Sequence, residues 1–145
     1  MFALIQKVHS FWAIFVLTIL VIAILNSFIG RSKGYEFSVK DLRISLFALI
    51  FSHIQLLIGL VIYFVSPWYD KWDSMGIVKI MKDPKIRFYL VEHPIISIIA
   101  IALITIGWSM HLRQNLSSKK FLRIGLFYTL GLFLFLTRIP WGSWI

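Results

Sequence analysis

Four long apolar segments constrain the fold of this 145-residue chain more than any other feature. They cover roughly residues 3–29, 44–66, 88–112 and 121–137, and each can cross ~30 Å of hydrocarbon as a helix. Hydrophobic residues make up 59% of the chain and charged residues 14%, which is too apolar for a soluble domain of this size. The sequence therefore predicts an all-α fold: a single integral membrane domain whose four transmembrane helices form a bundle with both termini on the same side.

The basic residues lie near the ends of the apolar segments. We expect the net charge of +9 to face anionic lipid headgroups of the bilayer, and we do not expect the chain to bind nucleic acid. Eight Lys and Arg residues crowd the two short loops, whereas seven are spread over the side that carries the termini. By the positive-inside rule, this difference predicts a multi-pass protein of the bacterial inner membrane with non-cytoplasmic termini. The first apolar run is longer than the core of a signal peptide, so we interpret it as a retained span.

A loop of residues 67–87 separates the second and third spans. Ser66-Pro67 stops one helix and Asp83-Pro84 makes a turn, which leaves residues 69–82 as a short interfacial helix lying on the headgroups. Aromatic residues typical of a membrane interface lie just beyond the spans on this side: Trp68, Tyr69, Trp72, Trp141 and Trp144. We expect these side chains to set the depth of the helices in the bilayer.

Histidine is rare inside transmembrane helices because neither of its protonation states is stable in hydrocarbon without a partner. His9 and His93 lie about six and about five residues from the terminal-side ends of spans 1 and 3, so each is ~8 Å deep. His93 also begins a stripe along one side of span 3: Ser97, Ala100, Ile104, Gly107 and His111. The sequence therefore predicts that His9 and His93 face each other at one level from different helices.

Two neutral imidazoles at matched depth are the ligand set of a six-coordinate b-type haem. A flat ring also needs small neighbours, and these are available at Ala13, Ser97, Ala100 and the heptad-spaced row Ser45, Ser52, Gly59 and Ser66 of span 2. Lys7, Arg87 and Arg138 lie at the surface where the propionates would emerge. Glu92 directly precedes His93 and is a candidate to orient a histidine or to move a proton. The absence of Cys excludes covalent c-type attachment and thiolate metal sites.

Simpler interpretations of these features remain open. The histidines could hydrogen-bond backbone carbonyls or hydroxyls in an ordinary bundle, and the small residues could serve only helix packing. Arg138 could pair with an acidic group or contact lipid headgroups.

The other two histidines do not match the depth of the pair. His53 is ~20 Å from the terminal surface, which makes it an alternative axial ligand or a group that supports one. A copper or zinc site formed by His9, His53 and His93 would require strongly tilted helices. His111 lies near the opposite surface beside Arg113 and is expected to be a solvated residue at the helix end.

Several motifs together resemble those of a family of small bacterial four-span membrane proteins labelled cytochrome b-like. They are Lys7-Val8-His9-Ser10, residues 46–60, Glu92-His93-Pro94, residues 99–107 and Ile139-Pro140-Trp141. The resemblance covers nearly the whole chain. It implies binding of haem b, with His9, His53 and His93 as the motif histidines.

A weaker similarity links the chain to the small membrane-bound protoporphyrinogen oxidase family. That family also opens with a Lys-x-x-His-like first span and has a histidine near the start of a later span. Here Lys7 and His9 are closer together, and Pro94-Ile95-Ile96 replaces the lysine expected after the later histidine. These departures argue against porphyrinogen oxidation.

The predicted function is that of a membrane cytochrome with one haem b, held by His9 and His93. It would transfer single electrons with a quinone or with subunits of a respiratory complex. The alternatives are a non-catalytic subunit of a membrane complex and a protoporphyrinogen oxidase-like enzyme.

Overall fold

The computed structural model describes residues 1–144, which fold into helices joined by short connections. The elements are α1 (Phe2–Ser32), α2 (Val39–Val65), α3 (Lys71–Lys82), α4 (Pro84–Arg87), a π-helical turn (Phe88–Glu92), α5 (His93–Leu112) and α6 (Ser117–Thr137). The fourth element runs through the π-turn into α5, so residues 84–112 act as one long helix. Among residues 1–144, four helices are long and apolar enough to span a membrane, and the predicted all-helical fold is confirmed.

The helices begin earlier than the apolar segments suggested. In α2, Ser38 and Asp41 form a capping box in which the backbone N–H of Ser38 donates to Asp41 Oδ2 at 2.8 Å. Helical hydrogen bonding thus continues beyond the hydrocarbon-length segment, where hydropathy no longer detects it. The helix predicted over 69–82 is α3, which kinks at Gly76, where φ is +78°.

The four long helices pack as an approximate square. Helix α1 packs against α2 and α6, and α5 packs against α6 and, less closely, against α2. As a result α1 and α5 face each other across the diagonal of the bundle. The buried core includes Leu20, Ala48, Ile104 and Tyr128, while large apolar side chains on the outside are exposed, consistent with contact with a lipid bilayer.

The row of small residues on α2 has two different uses. Ser45 and Ser52 are buried, and their hydroxyls donate to the carbonyls of Asp41 and Ala48 four residues earlier. These two positions serve helix packing. Gly59 instead makes room for a histidine ring, as described below.

The two ends of the bundle differ. The loop end carries the connections 33–38 and 113–116, and the backbone N–H of Phe37 donates to Ser117 Oγ there, which ties the two connections together. The terminal end carries both chain ends and α3. At this end the helices enclose a cavity that is lined by Phe2 near one terminus and Ser143 near the other.

Candidate functional site

A cavity of about 520 Å³ lies among α1, α2 and α5 at the terminal end. Its walls are mainly apolar, and its few polar groups include His9, Gln55 and His93. Small-molecule and cofactor sites typically combine such an apolar wall with a few convergent polar side chains. We call this space the histidine cavity.

His9 and His93 meet in this cavity. Their ring centroids are 6.2 Å apart and the ring planes lie at 80° to each other. The two residues come from α1 and α5, which lie across the diagonal of the bundle. The structure therefore brings together the two histidines that the depth count had matched.

The ring of His93 is oriented by the chain that follows α6. Its Nδ1 lies 2.6 Å from the carbonyl oxygen of Arg138, and a carbonyl can only accept, so Nδ1 carries the proton and donates. Nε2 is then the nitrogen with the free lone pair. The ring of Phe88 stacks against His93 at a centroid distance of 6.2 Å. This arrangement is the one by which proteins orient a metal-binding imidazole.

His9 is held differently. A Cβ atom at Gly59 would lie 3.3 Å from Cε1 of His9, so the glycine lets the ring pack against α2. The Nδ1 atom of His9 is buried and has no hydrogen-bond partner among residues 1–144. The Nε2 of Gln55 donates to the backbone carbonyl of His9 at 2.9 Å, which links α2 to α1 at this level.

A local break in helix geometry precedes His93. Pro94 has no N–H to give to the carbonyl of Leu90 in the α-helical pattern, and the backbone adopts a π-turn over Phe88–Glu92. The hydroxyl of Tyr63 donates to this carbonyl at 3.0 Å and accepts from Trp72 Nε1 at 3.1 Å. The carbonyl that Pro94 leaves free thus accepts a hydrogen bond from Tyr63, and Tyr63 in turn accepts one from Trp72, so α3 is linked to the turn that precedes α5.

Glu92 lies between Arg87 and Arg138, directly before the cavity-lining residue His93. Arg87 Nε donates to one carboxylate oxygen at 2.7 Å, and Arg138 Nε lies 3.2 Å from the other. Arg138 therefore faces an acidic group, as one of the two interpretations of the sequence expected. The same residue contacts Glu92 through its side chain and His93 through its carbonyl, so the acid and the imidazole are linked through Arg138.

His53 is not part of this site. Its Nδ1 lies 2.8 Å from the carbonyl oxygen of Leu49, and its Nε2 lies 3.3 Å from the hydroxyl of Thr105 on α5. Both ring nitrogens are therefore engaged between α2 and α5. Among the described residues, no group of three or more His, Asp or Glu side chains could hold a metal ion, so the structure offers no site shared by His9, His53 and His93.

The prediction that His111 is a solvated residue at the helix end is wrong. The residue is fully buried instead of solvated, because Phe37 from the first connection and Trp108 from its own helix pack against the ring. Its Nδ1 donates to the carbonyl of Trp108. The sequence pattern of α5 could not reveal that residues of the 33–38 connection fold back over the helix end.

The sequence analysis did not predict that Gln55, Tyr63 and Trp72 belong to the site. Gln55 could have been found, because it is an uncharged polar residue in the middle of an apolar span. The other two resembled ordinary interfacial aromatics, and their roles depend on the carbonyl that Pro94 leaves free.

Comparison of the chain with protein-family models, with curated proteins and with solved structures finds no match. The chemistry of the site follows from its own residues: two facing imidazoles, an ion-paired carboxylate and an apolar cavity near one end of a transmembrane bundle.

Proposed function

We propose that this protein binds one b-type haem between His9 and His93 and carries single electrons in the membrane. The observation that supports the proposal is the pair of imidazoles that face each other across a mainly apolar cavity. Haem iron accepts axial imidazole ligands, and an apolar cavity holds the porphyrin.

The geometry of the pair is compatible with this role. A metal–imidazole bond is ~2.0 Å long, so two ring nitrogens on opposite sides of one ion stand about 4 Å apart. The ring centres lie further back than the nitrogens, which makes the observed centroid separation of 6.2 Å suitable for such a pair. The proton of His93 is on Nδ1, which leaves Nε2 available as a ligand.

The surroundings also suit a haem. The wall of the cavity near the histidines contains three small residues, which leave room for a flat ring: Ala13, Gly59 and Ser97. Arg87 and Arg138 lie beside Glu92, directly before His93, and a guanidinium can pair with a carboxylate such as a propionate. Glu92 holds both arginines in place, and through Arg138 it is linked to the orientation of His93.

A haem supplies one-electron chemistry when it is bound, and two protein ligands on the iron would leave no open position for oxygen. The partner would be a membrane quinone or a subunit of a respiratory complex. The location proposed is the bacterial inner membrane, with the termini and the histidine cavity on the non-cytoplasmic side, because the loop end has the more crowded basic residues.

A visible spectrum of protein purified in detergent from haem-replete cells tests the proposal. The expected result is a Soret band and an α band that sharpens on reduction, both lost in His9→Ala and His93→Ala. His53→Ala is the matched control, since its ring lies outside the histidine cavity and its loss should leave the bands intact.

A colourless preparation would contradict the proposal and favour the non-catalytic subunit. If the bands persist in His9→Ala but disappear in His53→Ala, His53 and not His9 is the second axial ligand. Turnover of a porphyrinogen by the purified protein would instead favour the oxidase-like enzyme.

A further inference from the structure

A second recess lies at the terminal end beside the histidine cavity. It is lined by residues from the start of α1, from α4 and the π-helical turn, and from the segment that follows α6. Seven of its twelve lining residues, Tyr89 and Ser143 among them, also line the histidine cavity, so the two spaces adjoin. We call this second space the terminal groove.

Aromatic rings form much of the wall that the two spaces share. Trp68 and Tyr89 line both spaces, and their rings stack at a centroid distance of 5.1 Å with 12° between the ring planes. Phe88 lines the terminal groove, and its ring also stacks against that of His93. Flat apolar surfaces therefore continue from the histidine pair into the terminal groove.

Lys85 gives the terminal groove a positive charge. Among residues 1–144, it is the one Lys or Arg side chain that lines either of the two spaces. Its Nζ lies 5.5 Å from the centroid of the Trp68 ring, a contact that contributes little at an exposed site. Both ion pairs among the described residues are formed by Glu92, and neither includes Lys85. The ammonium group is thus available to an anionic ligand.

The two arginines near His93 are placed differently. The Nε atoms of Arg87 and Arg138 lie 2.7 Å and 3.2 Å from the two oxygens of Glu92, and each guanidinium also donates to a backbone carbonyl. Neither arginine lines the histidine cavity or the terminal groove. Lys85 is therefore better placed than either of them to meet the acidic group of a ligand in these spaces.

The position of Lys85 along the chain suits the charged end of an amphiphilic molecule. It lies eight residues before His93, ~12 Å nearer the terminal surface along the helix, and Tyr89 lies halfway between them. A carboxylate is costly to bury in hydrocarbon without a partner, so a flat apolar ligand must direct its acidic groups toward the surface. The histidine cavity then takes the apolar part of the ligand and the terminal groove takes the acidic part.

We propose that Lys85 pairs with a propionate carboxylate of the porphyrin that the histidine cavity binds, and that the terminal groove holds this acidic edge. The inference rests on the proposed haem function and assigns to it a residue outside the histidine cavity. The chemistry recognised is a flat apolar ring system with a carboxylate at one edge.

The test compares haem with its dimethyl ester, in which both propionates are capped. Each compound is titrated into full-length protein that has been purified in detergent from haem-depleted cells, and the Soret band is followed at low ionic strength. The ratio of the two affinities is compared between variants, because the different partition of the two porphyrins into micelles then cancels. In Lys85→Gln the preference for the free acid should fall about fivefold relative to wild type, the upper range for an ion pair at an exposed site.

Two further variants serve as controls. Lys82→Gln removes another exposed lysine that lines neither space, so its affinity ratio should equal that of wild type. Lys85→Arg keeps the positive charge and should keep the preference for the free acid.

The outcomes separate this inference from the haem proposal. An unchanged ratio in Lys85→Gln, with both porphyrins bound, would overturn the role of Lys85 and leave the haem proposal standing. A lower ratio in Arg87→Gln or Arg138→Gln, but not in Lys85→Gln, would assign the carboxylate to the arginines and also overturn it. If neither porphyrin binds, the haem proposal fails and this inference fails with it.

Discussion

The loop end and the terminal end of the bundle each contain buried polar side chains, but they use them in different ways. At the loop end, Asp41 accepts hydrogen bonds from Ser38 and Asn26, and aromatic rings enclose His111. At the terminal end, His9 and His93 border open space. The loop end is closed by its own side chains, whereas the terminal end leaves room for a ligand.

This difference shows that burial alone does not identify a functional histidine in a membrane bundle. His111 is completely buried, while His9 and His93 are only partly buried. What distinguishes the pair is that both rings line a cavity and lie close to each other, whereas aromatic rings enclose His111. A polar group within a membrane-spanning helix is a candidate functional site, and its position beside a cavity strengthens that interpretation.

The largest expected effect separates His93 from His111. His93→Ala should lower haem affinity by more than ~100-fold, because loss of a ligand exceeds the effect of losing a group that only orients one. His111→Ala should retain the proposed haem and lose stability, because its ring fills space beside Phe37 and Trp108. Haem-to-protein ratios from pyridine haemochrome spectra measure the first effect, and equal haem loss in the two variants would contradict the division between the two ends.

Two glycine-to-alanine substitutions compare how tightly the loop end and the terminal end are packed. At Gly107 a Cβ would collide with the Cβ of Phe127 and lie 3.2 Å from the carbonyl of Arg123, so Gly107→Ala should cost about 1–3 kcal/mol. At Gly59 a Cβ would meet only the His9 ring at 3.3 Å.

We therefore expect Gly59→Ala to keep its stability but to lower haem content by displacing His9. Unfolding in mixed micelles, followed by circular dichroism, measures the stability of both glycine variants. A large loss of stability in Gly59→Ala with unchanged haem would show that this end is packed as tightly as the other.

Asp41→Ala should destabilise the loop end without affecting the cavity. The carboxylate caps α2 through Ser38 and accepts from Asn26 Nδ2 at 2.8 Å, so its removal should cost about 1–2 kcal/mol. The melting temperature should fall while the haem spectrum is unchanged. Ser74→Ala in α3 is a control for general effects of polar-to-alanine substitution, and an altered spectrum in Asp41→Ala would contradict the independence of the two ends.

The smallest effect is expected for Tyr63→Phe, which removes the hydroxyl between the Leu90 carbonyl and Trp72. The cost should be about 0.5–1.5 kcal/mol. Because the lost bonds attach α3 to the start of α5, faster hydrogen exchange within residues 71–82 should accompany it. Tyr69→Phe serves as the control, and equal exchange in both variants would remove the role assigned to Tyr63.

Much of this architecture could be predicted from the order of the residues. The four spans and the short helix α3 were expected, because a bilayer selects for apolar length and because Pro67 and Pro84 interrupt helices. The juxtaposition of His9 and His93 was also expected, since helices that all cross the same slab make depth countable from sequence.

Contacts that depend on how the helices rotate and how their connections fold back required the tertiary structure. Residues from distant positions enclose His111, and the bond from His93 to the Arg138 carbonyl depends on the path of the chain after α6. The sequence by itself determined which residues lie at each depth in the membrane, because the thickness of the hydrocarbon region sets the length of each span. Only the tertiary structure decided which side chains contact protein and which border the cavity, because those contacts depend on how the helices pack around the bundle axis.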